Sequence, residues 1–312
     1  MTDFRRLYPG LPVCCYSIVA RDAATGDLGV ATQSRWFSIG TVVPWAEAGA
    51  GAVASQGFSD GSYGALGLEA MRTGAAAPDV LARLLAADGG RDRRQVAMVD
   101  SSGRVAVHTG PGCFPPAGHA SGDGWAVVAS MARSEAVWRE MGPAFESAKG
   151  PIAERFLAAL DAAEAAGGEL RGKRSAGLVV VRGASSGKTW LDRVCDLRVE
   201  DSPEPLLEMR RLLELRAAFD LMGSGQKALE RGDLEGALAA CREAGVMLPD
   251  DAEMAFWPGV LLVLAGRLEE ALPHFRSAFR LQPSWVEITR TLPSIGLLPD
   301  DPDLLARILA EA

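Results

Sequence analysis

The order of strand-like and helix-like segments is the feature that most constrains the fold of this chain. Runs rich in apolar and β-branched residues come in blocks, and pairs of segments with helical patterning separate the blocks. The predicted strands cover residues 15–21, 28–34, 41–47, 50–56, 94–99, 104–108, 125–130, 175–183 and 188–199, and the predicted helices cover 62–73, 78–87, 133–147 and 151–166. A doubly wound parallel sheet would need single strands and helices to alternate, so this order favours an α+β fold. We expect two antiparallel sheets packed together and covered by helices on both outer faces.

The first strong apolar run begins at Cys14 and Cys15, directly after a short polar leader. Side chains alternate along a strand, so Cys15 and Cys14 should point to opposite faces, and the residues on both faces look buried. This pattern is typical of a central strand. The turn formers around Gly26 then predict a hairpin that joins this strand to the next.

Composition limits the classes of partner. The chain has 312 residues, of which 48% are hydrophobic, and a formal net charge of -8 without a Lys/Arg-rich run. These values suit a large domain plus a smaller one and argue against nucleic acid or an anionic membrane surface as a partner. No apolar run reaches the roughly 18 residues of a membrane span.

Cysteine usage indicates a reducing compartment. The five cysteines are odd in number, scattered and without Cys-x-x-Cys spacing, so neither a disulfide framework nor a structural zinc site is indicated. We predict a cytoplasmic protein without a metal or another cofactor.

The last third of the chain is helical and carries an internal repeat. The segment 231–238 is echoed by 265–272, and Gly232 and Gly266 are 34 residues apart (266 − 232). This is the tetratricopeptide period, with small residues where paired helices touch. Four aromatic residues in this part are interpreted as core residues, with a groove for a peptide or a second subunit as the alternative: Trp257, Phe275, Phe279 and Trp285.

Short motifs in the first two hundred residues together resemble one bacterial family. They are Cys15-Tyr-Ser-Ile-Val-Ala-Arg-Asp22, Gly26-Asp-Leu-Gly-Val-Ala31, Ser34-Arg35, Val43-Pro-Trp-Ala46, Ser62-Tyr-Gly64, His108-Thr-Gly110, Gly118-His119, Arg171-Gly172 and Asp196-Leu-Arg-Val199. Over about residues 13 to 203 the chain resembles the family DUF1028. Members of that family are similar to N-terminal nucleophile (Ntn) hydrolases, and the resemblance implies their four-layer αββα sandwich. A tetratricopeptide-like C-terminal part is one of the forms that this family takes.

The resemblance and the proline-rich, acidic segment 200–205 together predict three parts. We expect an N-terminal extension over 1–14, an Ntn-hydrolase-like αββα domain over 15–203 and a helical tetratricopeptide-like domain over 204–312.

The resemblance implies that Cys15 is the nucleophile. In Ntn hydrolases the first residue of the mature chain attacks the substrate and its own α-amine is the base. A free α-amine titrates near roughly pH 8, so part of it is neutral and accepts a proton at working pH. Many family members begin with Thr at this position, and Cys is the stronger nucleophile. Fourteen residues precede Cys15 here, so its nitrogen is an amide unless the Cys14–Cys15 bond is cut. Core packing is the alternative role for Cys15.

Three further residues are predicted to be catalytic because they follow predicted strands. Ser34 and Arg35 come after the second strand, where the planar guanidinium of Arg35 would hold a substrate carboxylate or form a surface ion pair. Ser130 ends the strand at 125–130 and stands where the family often has Asn, a residue able to donate to an oxyanion.

Gln56, His108, His119 and Arg171 are predicted to bind substrate. Gln56 ends the fourth strand and is expected to face the same cleft, although turn chemistry is an alternative. The two histidines flank a Gly/Pro-rich loop that contains Cys113, but their spacing matches no zinc pattern. A Cys113–His119 nucleophile pair remains open, as does a structural role for Arg171.

Two functions follow from these expectations. The first is an Ntn-type amidohydrolase that acts on a small amide or peptide through an acyl-enzyme on Cys15 after removal of the leader. The second is a non-catalytic binding or scaffold protein that uses its helical repeats to bind another protein. Homo-oligomer formation is compatible with either function.

Overall fold

A computed structural model describes residues 12–312, so most of the predicted N-terminal extension lies outside the described residues. Within this range the strands form two antiparallel sheets. The strands are β1 Tyr16–Arg21, β2 Leu28–Ser34, β3 Pro44–Glu47, β4 Gly51–Gly57, β5 Arg94–Asp100, β6 Val105–Thr109, β7 Gly118–Gly122, β8 Trp125–Ala129, β9 Ser175–Val181 and β10 Arg193–Val199. The helices are α1 Ser62–Arg72, α2 Ala77–Ala87, α3 Ala136–Ser147, α4 Ile152–Ala165, α5 Thr189–Asp192, α6 Pro205–Glu230, α7 Leu234–Met247, α8 Ala252–Leu264, α9 Leu268–Leu281, α10 Trp285–Thr291 and α11 Pro302–Leu309.

The larger sheet has the strand order β10-β9-β2-β1-β8-β7 and the smaller one has the order β3-β4-β5-β6. The predicted hairpin is confirmed, with Tyr16 opposite Gln33 in the antiparallel register of β1 and β2. Buried aliphatic side chains from both sheets share one core, among them Val19, Val30 and Val99. The prediction of a mixed fold with two antiparallel sheets is therefore confirmed.

Two helix pairs pack on these sheets. Helices α1 and α2 contact the smaller sheet, and α3 and α4 contact the larger one. Gly29 shows why one contact on β2 needs a glycine, because a Cβ there would lie 2.7 Å from the Phe156 ring and 2.6 Å from the Val179 carbonyl oxygen. The glycine lets α4 approach the middle of the larger sheet closely.

The structure corrects three sequence assignments. The predicted loop over 109–124 contains β7, whose Gly, Ala and Ser residues have low strand propensity and are held by pairing with β8. The predicted strand at 41–47 begins only at Pro44, after a short 3₁₀ turn. The predicted strand at 188–199 begins with the short helix α5.

The described residues divide into two compact units after Arg211. In the second unit, α7 and α9 begin at Leu234 and Leu268, which are 34 residues apart (268 − 234). Its core is aromatic, and the rings of Phe256 and Trp285 have centroids 4.3 Å apart. Phe275 and Phe279 are also buried, whereas Trp257 is half-buried. The prediction of an all-helical region is confirmed.

No helix among residues 12–312 combines the length and the apolar character that crossing a membrane would require.

Candidate active site

The candidate site lies where the chain passes from the smaller sheet to the larger one. Val13 forms an antiparallel bridge with Gly57 at the end of β4, with N···O distances of 2.7 and 2.9 Å. Tyr16 then begins β1 in the larger sheet. Cys14 and Cys15 therefore lie between the sheets, and both side chains are completely buried.

The Cys15 thiol faces a neutral network of amides and hydroxyls. Its Sγ donates to Gln56 Oε1 at 2.8 Å, and the Ser17 hydroxyl donates to the same oxygen at 2.6 Å. Gln56 Nε2 donates in turn to the Cys15 carbonyl at 2.8 Å and to Gln95 Oε1 at 2.7 Å. Burial raises the pKa of the Cys15 thiol well above its ordinary value, so the intact chain carries a neutral thiol here.

Gln95 fixes the orientation of Gln56. Its Nε2 donates to the carbonyl of Ala129 at 2.8 Å, to the carbonyl of Gly118 at 3.1 Å and to the Thr109 hydroxyl at 3.0 Å. Because these partners include two carbonyls, Gln95 must turn its own oxygen toward Gln56 Nε2. The acceptor oxygen of Gln56 is thereby directed at Cys15.

Charged groups surround the other side of the same peptide bond. The Cys14 carbonyl oxygen accepts from Ser34 Oγ at 2.6 Å and from Arg171 Nη2 at 3.2 Å. The buried Glu169 carboxylate accepts from the Arg35 backbone N–H at 3.0 Å and pairs with Arg171 Nε, and its oxygen lies 3.1 Å from Ser34 Oγ. These donors draw electron density from the carbonyl carbon of the Cys14–Cys15 bond.

Glu169 is a site residue that the sequence analysis missed. Burial raises the pKa of its carboxyl group, and the hydrogen bond from Arg171 opposes that rise. Its backbone bridges to Ala132, and the following Leu170 N–H donates to the Met131 carbonyl at 2.8 Å. The available signal is the opposite charge of Glu169 and Arg171, two residues apart, in a turn closed by the Gly172 N–H on the Glu169 carbonyl at 2.9 Å.

Ser130 and Arg35 lie at opposite extremes of exposure. Ser130 is buried, its backbone N–H donates to the Cys15 carbonyl at 3.1 Å, and its hydroxyl has no partner of normal geometry among the described residues. Burial raises the pKa of the Cys14 thiol, and the neighbouring Ser130 and Arg171 oppose that rise. The Arg35 side chain is exposed. It lines a shallow cleft of about 400 Å³ together with Arg171 and Arg174.

The structure brings Cys15, Ser34, Ser130, Gln56 and Arg171 together at this site. Arg35 contributes its backbone N–H directly and its side chain at the rim. His119, on β7, reaches the neutral network only through its Nδ1, which lies 2.9 Å from the Thr109 hydroxyl.

The other residues considered in the sequence analysis form hydrogen bonds outside this site. His108 Nε2 lies 2.8 Å from the Arg91 carbonyl oxygen. The Cys113 thiol donates to the Arg94 carbonyl at 3.3 Å instead of to His119, and burial raises its pKa to about 11. The interpretation of Cys113 and His119 as a nucleophile pair is therefore wrong, because each has a different partner. Residues 12–312 contain no group of three His, Cys, Asp or Glu residues arranged to hold a metal ion.

Comparison with known proteins identifies the family. Residues 15–209 match DUF1028, which is described as a family of unknown function, and the chain belongs to this family. It is also similar to a protein from Silicibacter pomeroyi, whose crystal structure is described under the same family. The two are 28% identical, the TM-score is 0.58, and the match covers 64% of this chain and 88% of that chain. No protein with a curated description matches this chain.

Proposed function

We propose that this protein is an amidohydrolase of the Ntn type that cuts its own Cys14–Cys15 bond and then uses Cys15 to hydrolyse a small amide or peptide. The observation that carries the proposal is the environment of that bond. Its carbonyl oxygen is held by Ser34 Oγ and Arg171 Nη2, and the thiol next to it in the chain is held by Gln56. An electrophile and a nucleophile are thus held on neighbouring residues.

The self-cleavage reaction requires no reagent other than water. Cys15 Sγ attacks the Cys14 carbonyl carbon, the C–N bond breaks, and the thiol proton passes to the departing nitrogen. Water then hydrolyses the thioester, which releases the leader with a terminal carboxylate and restores the thiol. The new α-amine of Cys15 has a pKa in the range of a general base, unlike the amide it replaces.

The same groups would serve the reaction on an external substrate. Ser34 and Arg171 would hold the substrate carbonyl where they now hold that of Cys14, and stabilise its oxyanion. Glu169 would keep Arg171 in position through its hydrogen bond. Removal of an oxyanion donor costs on the order of 100-fold or more in rate.

We assign the two sheets and their covering helices to the four-layer αββα arrangement of Ntn hydrolases. The contacts of α1 and α2 with the smaller sheet and of α3 and α4 with the larger one support this assignment. The 34-residue offset of α7 and α9 supports a tetratricopeptide-like second unit.

Intact mass and N-terminal sequencing of the protein, purified through a C-terminal tag, test the activation step. We expect a population that begins at Cys15, and its fraction should grow during incubation at neutral pH. The Cys15→Ala variant should remain uncut because it lacks the attacking sulfur, whereas Cys241→Ala, which changes another buried cysteine, should be cut like the parent.

Either of two results would contradict the proposal. One is a folded protein that stays uncut during long incubation. The other is hydrolysis by the Cys15→Ala variant at the parent rate.

A second candidate function is supported by the state of Cys15 in the intact chain. Its thiol is completely buried and its pKa is raised, as expected for a core residue of a binding or scaffold protein whose repeats recruit another protein. This candidate predicts an uncut chain, no labelling of Cys15 by thiol reagents and loss of a protein partner when residues 206–312 are deleted.

A further inference from the structure

We infer that the acyl half of the site takes an extended peptide that pairs with the edge of β4 at Gly57 and places a small residue next to the scissile bond. This inference rests on the proposed function and names its substrate class. It is carried by the segment Val13–Cys14, which occupies the acyl side of the candidate bond in the intact chain. The leader is thus a bound example of the substrate.

Strand β3 does not cover the end of the β4 edge. The β3 ladder pairs Pro44 with Ala54 and extends from there toward the start of β4, and the next hydrogen bond on this edge runs from Ser55 N–H to the Val43 carbonyl at 3.2 Å. At Gly57 the two backbone groups on this edge pair with Val13 instead. Such an edge accepts any extended peptide, since the contacts are made by backbone atoms.

Gly57 suits this role through its own conformation. Its φ is +80°, and a Cβ there would lie 2.8 Å from the Arg93 carbonyl oxygen. A side chain at this position would strain the end of β4, on which Val13 docks.

The side chain of Cys14 defines the neighbouring subsite. It is completely buried, and burial raises the pKa of its thiol, while Ser130 and Arg171 lower it. A closed space that fits Cys will also fit Ala or Ser, whereas a longer side chain has to displace packed neighbours. The unpartnered Ser130 hydroxyl can bond a substrate hydroxyl, which favours serine over alanine.

The chemical step on such a peptide follows the proposed mechanism. Cys15 Sγ bonds to the carbonyl carbon of the small residue, the amide C–N bond breaks, and the thiol proton leaves with the amine. Water then cleaves the thioester and releases the peptide as a carboxylate. The inferred preference for a small residue concerns only the acyl side of the scissile bond, because the leader occupies only that side.

Peptide amides of aminomethylcoumarin test the inference on the self-cleaved parent enzyme. The panel consists of acetyl-valyl-alanine, acetyl-valyl-serine, acetyl-valyl-leucine and acetyl-(N-methyl)valyl-alanine, each as its coumarin amide. We expect the alanine and serine compounds to be hydrolysed with kcat/KM about 30-fold above the leucine compound. The N-methyl compound lacks the N–H that would donate to the Gly57 carbonyl and should lose about tenfold.

The chain's own cleavage provides a second measurement that needs no external substrate. Cys14→Ser and Cys14→Ala should be cut within about threefold of the parent rate, and Cys14→Leu at least about 30-fold more slowly. Val13→Pro removes the same backbone N–H and should slow cleavage about tenfold, with Val13→Ile as its matched control. Near-UV circular dichroism checks that each variant is folded.

The outcomes separate the inference from the proposed function. A parent chain that cuts itself but hydrolyses the leucine and N-methyl compounds as fast as the alanine compound overturns the inference and leaves the proposed function standing. A folded parent chain that never cuts itself and hydrolyses none of the four overturns both.

Discussion

The two sides of the Cys14–Cys15 peptide bond differ in their chemistry. On the carbonyl side, the buried Glu169 carboxylate pairs with the partly exposed Arg171 beside the Cys14 oxygen. On the thiol side, Gln56 and its partners are all neutral. The ion pair can polarise a carbonyl, whereas the neutral network holds the sulfur without ionising it.

The two sides should therefore respond differently to pH. A buried carboxyl with a raised pKa makes the carbonyl side sensitive to protons, while the amides on the thiol side do not titrate.

The largest effect concerns the reactivity of the Cys15 thiol. In the intact folded chain we expect Cys15 to react with a disulfide reagent more than about 100-fold more slowly than in the unfolded chain, because it is buried and protonated. A change from pH 7 to pH 9 should leave it unreactive, since burial raises its pKa well above that range. Alkylation followed by peptide mass mapping measures this, with the chain in concentrated urea as the reference. Rapid modification of Cys15 at pH 8 would contradict the burial of its thiol in the intact chain.

Replacement of Arg171 tests the charged side. Arg171→Met leaves Glu169 buried without its cation and should lower the free energy of unfolding at pH 7 by about 2 to 3 kcal/mol. The folded-state pKa of Glu169, already raised, then rises further. The contribution of the protonated Glu169 carboxyl to stability is complete below the ordinary Glu pKa and is lost as pH rises through the folded-state pKa. The loss of unfolding free energy in Arg171→Met should therefore be smaller at pH 5 than at pH 7.

Urea titrations at pH 5 and pH 7 measure this deficit. Lys173→Met is the matched control, since its ion pairs are partly solvated and should contribute less than about 1 kcal/mol. A deficit in Arg171→Met that is equal at both pH values would argue against a charged carbonyl side.

Replacement of Gln95 tests the neutral side. Gln95→Leu removes the donor to three acceptors and the acceptor for Gln56, and should lower the free energy of unfolding by about 2 kcal/mol. The loss should be the same at pH 7 and pH 9, because no group in this network titrates in that range. Gln282→Leu changes an exposed glutamine and should stay within about 0.5 kcal/mol of the parent. A loss that varies between the two pH values would show that the network contains a charge.

The smallest effect belongs to His119, at the outer end of the neutral network. Burial and the nearby His108 lower its pKa, so its contribution to stability is present above the ordinary His pKa and is lost as pH falls through the folded pKa. The ring is exposed, and solvent screening limits this loss to about 0.3 kcal/mol. NMR titration should give a midpoint below that of an unfolded peptide, and His108→Gln should raise it. An unchanged midpoint in that variant would remove His108 as a cause.

The sequence predicted the parts of the fold that depend on local patterns. The hairpin of β1 and β2 was predictable because two apolar runs flank the turn around Gly26. Strand β7 was not predictable, because four of its five residues are Gly, Ala or Ser, which have low strand propensity, and pairing with β8 holds them in the sheet.

The candidate site was predictable only in part. Ser34 and Ser130 were found because polar residues at strand ends collect at a common edge. Glu169 and Gln95 were missed because their roles depend on contacts between segments distant in the sequence. The carbonyl of Cys14 is a backbone atom, so no residue type marks it in the sequence.

The reach of Arg171 to the Cys14 carbonyl, across 157 positions of the chain, sets an order of events during synthesis. A ribosome that has made only the first hundred residues has already released Cys14 and Cys15 but has not yet produced the cation that polarises their bond. The carbonyl therefore becomes polarised by Arg171 only after residue 171 has been translated and has reached it. Under the proposed mechanism, the bond would be cut only after at least 171 residues have been made.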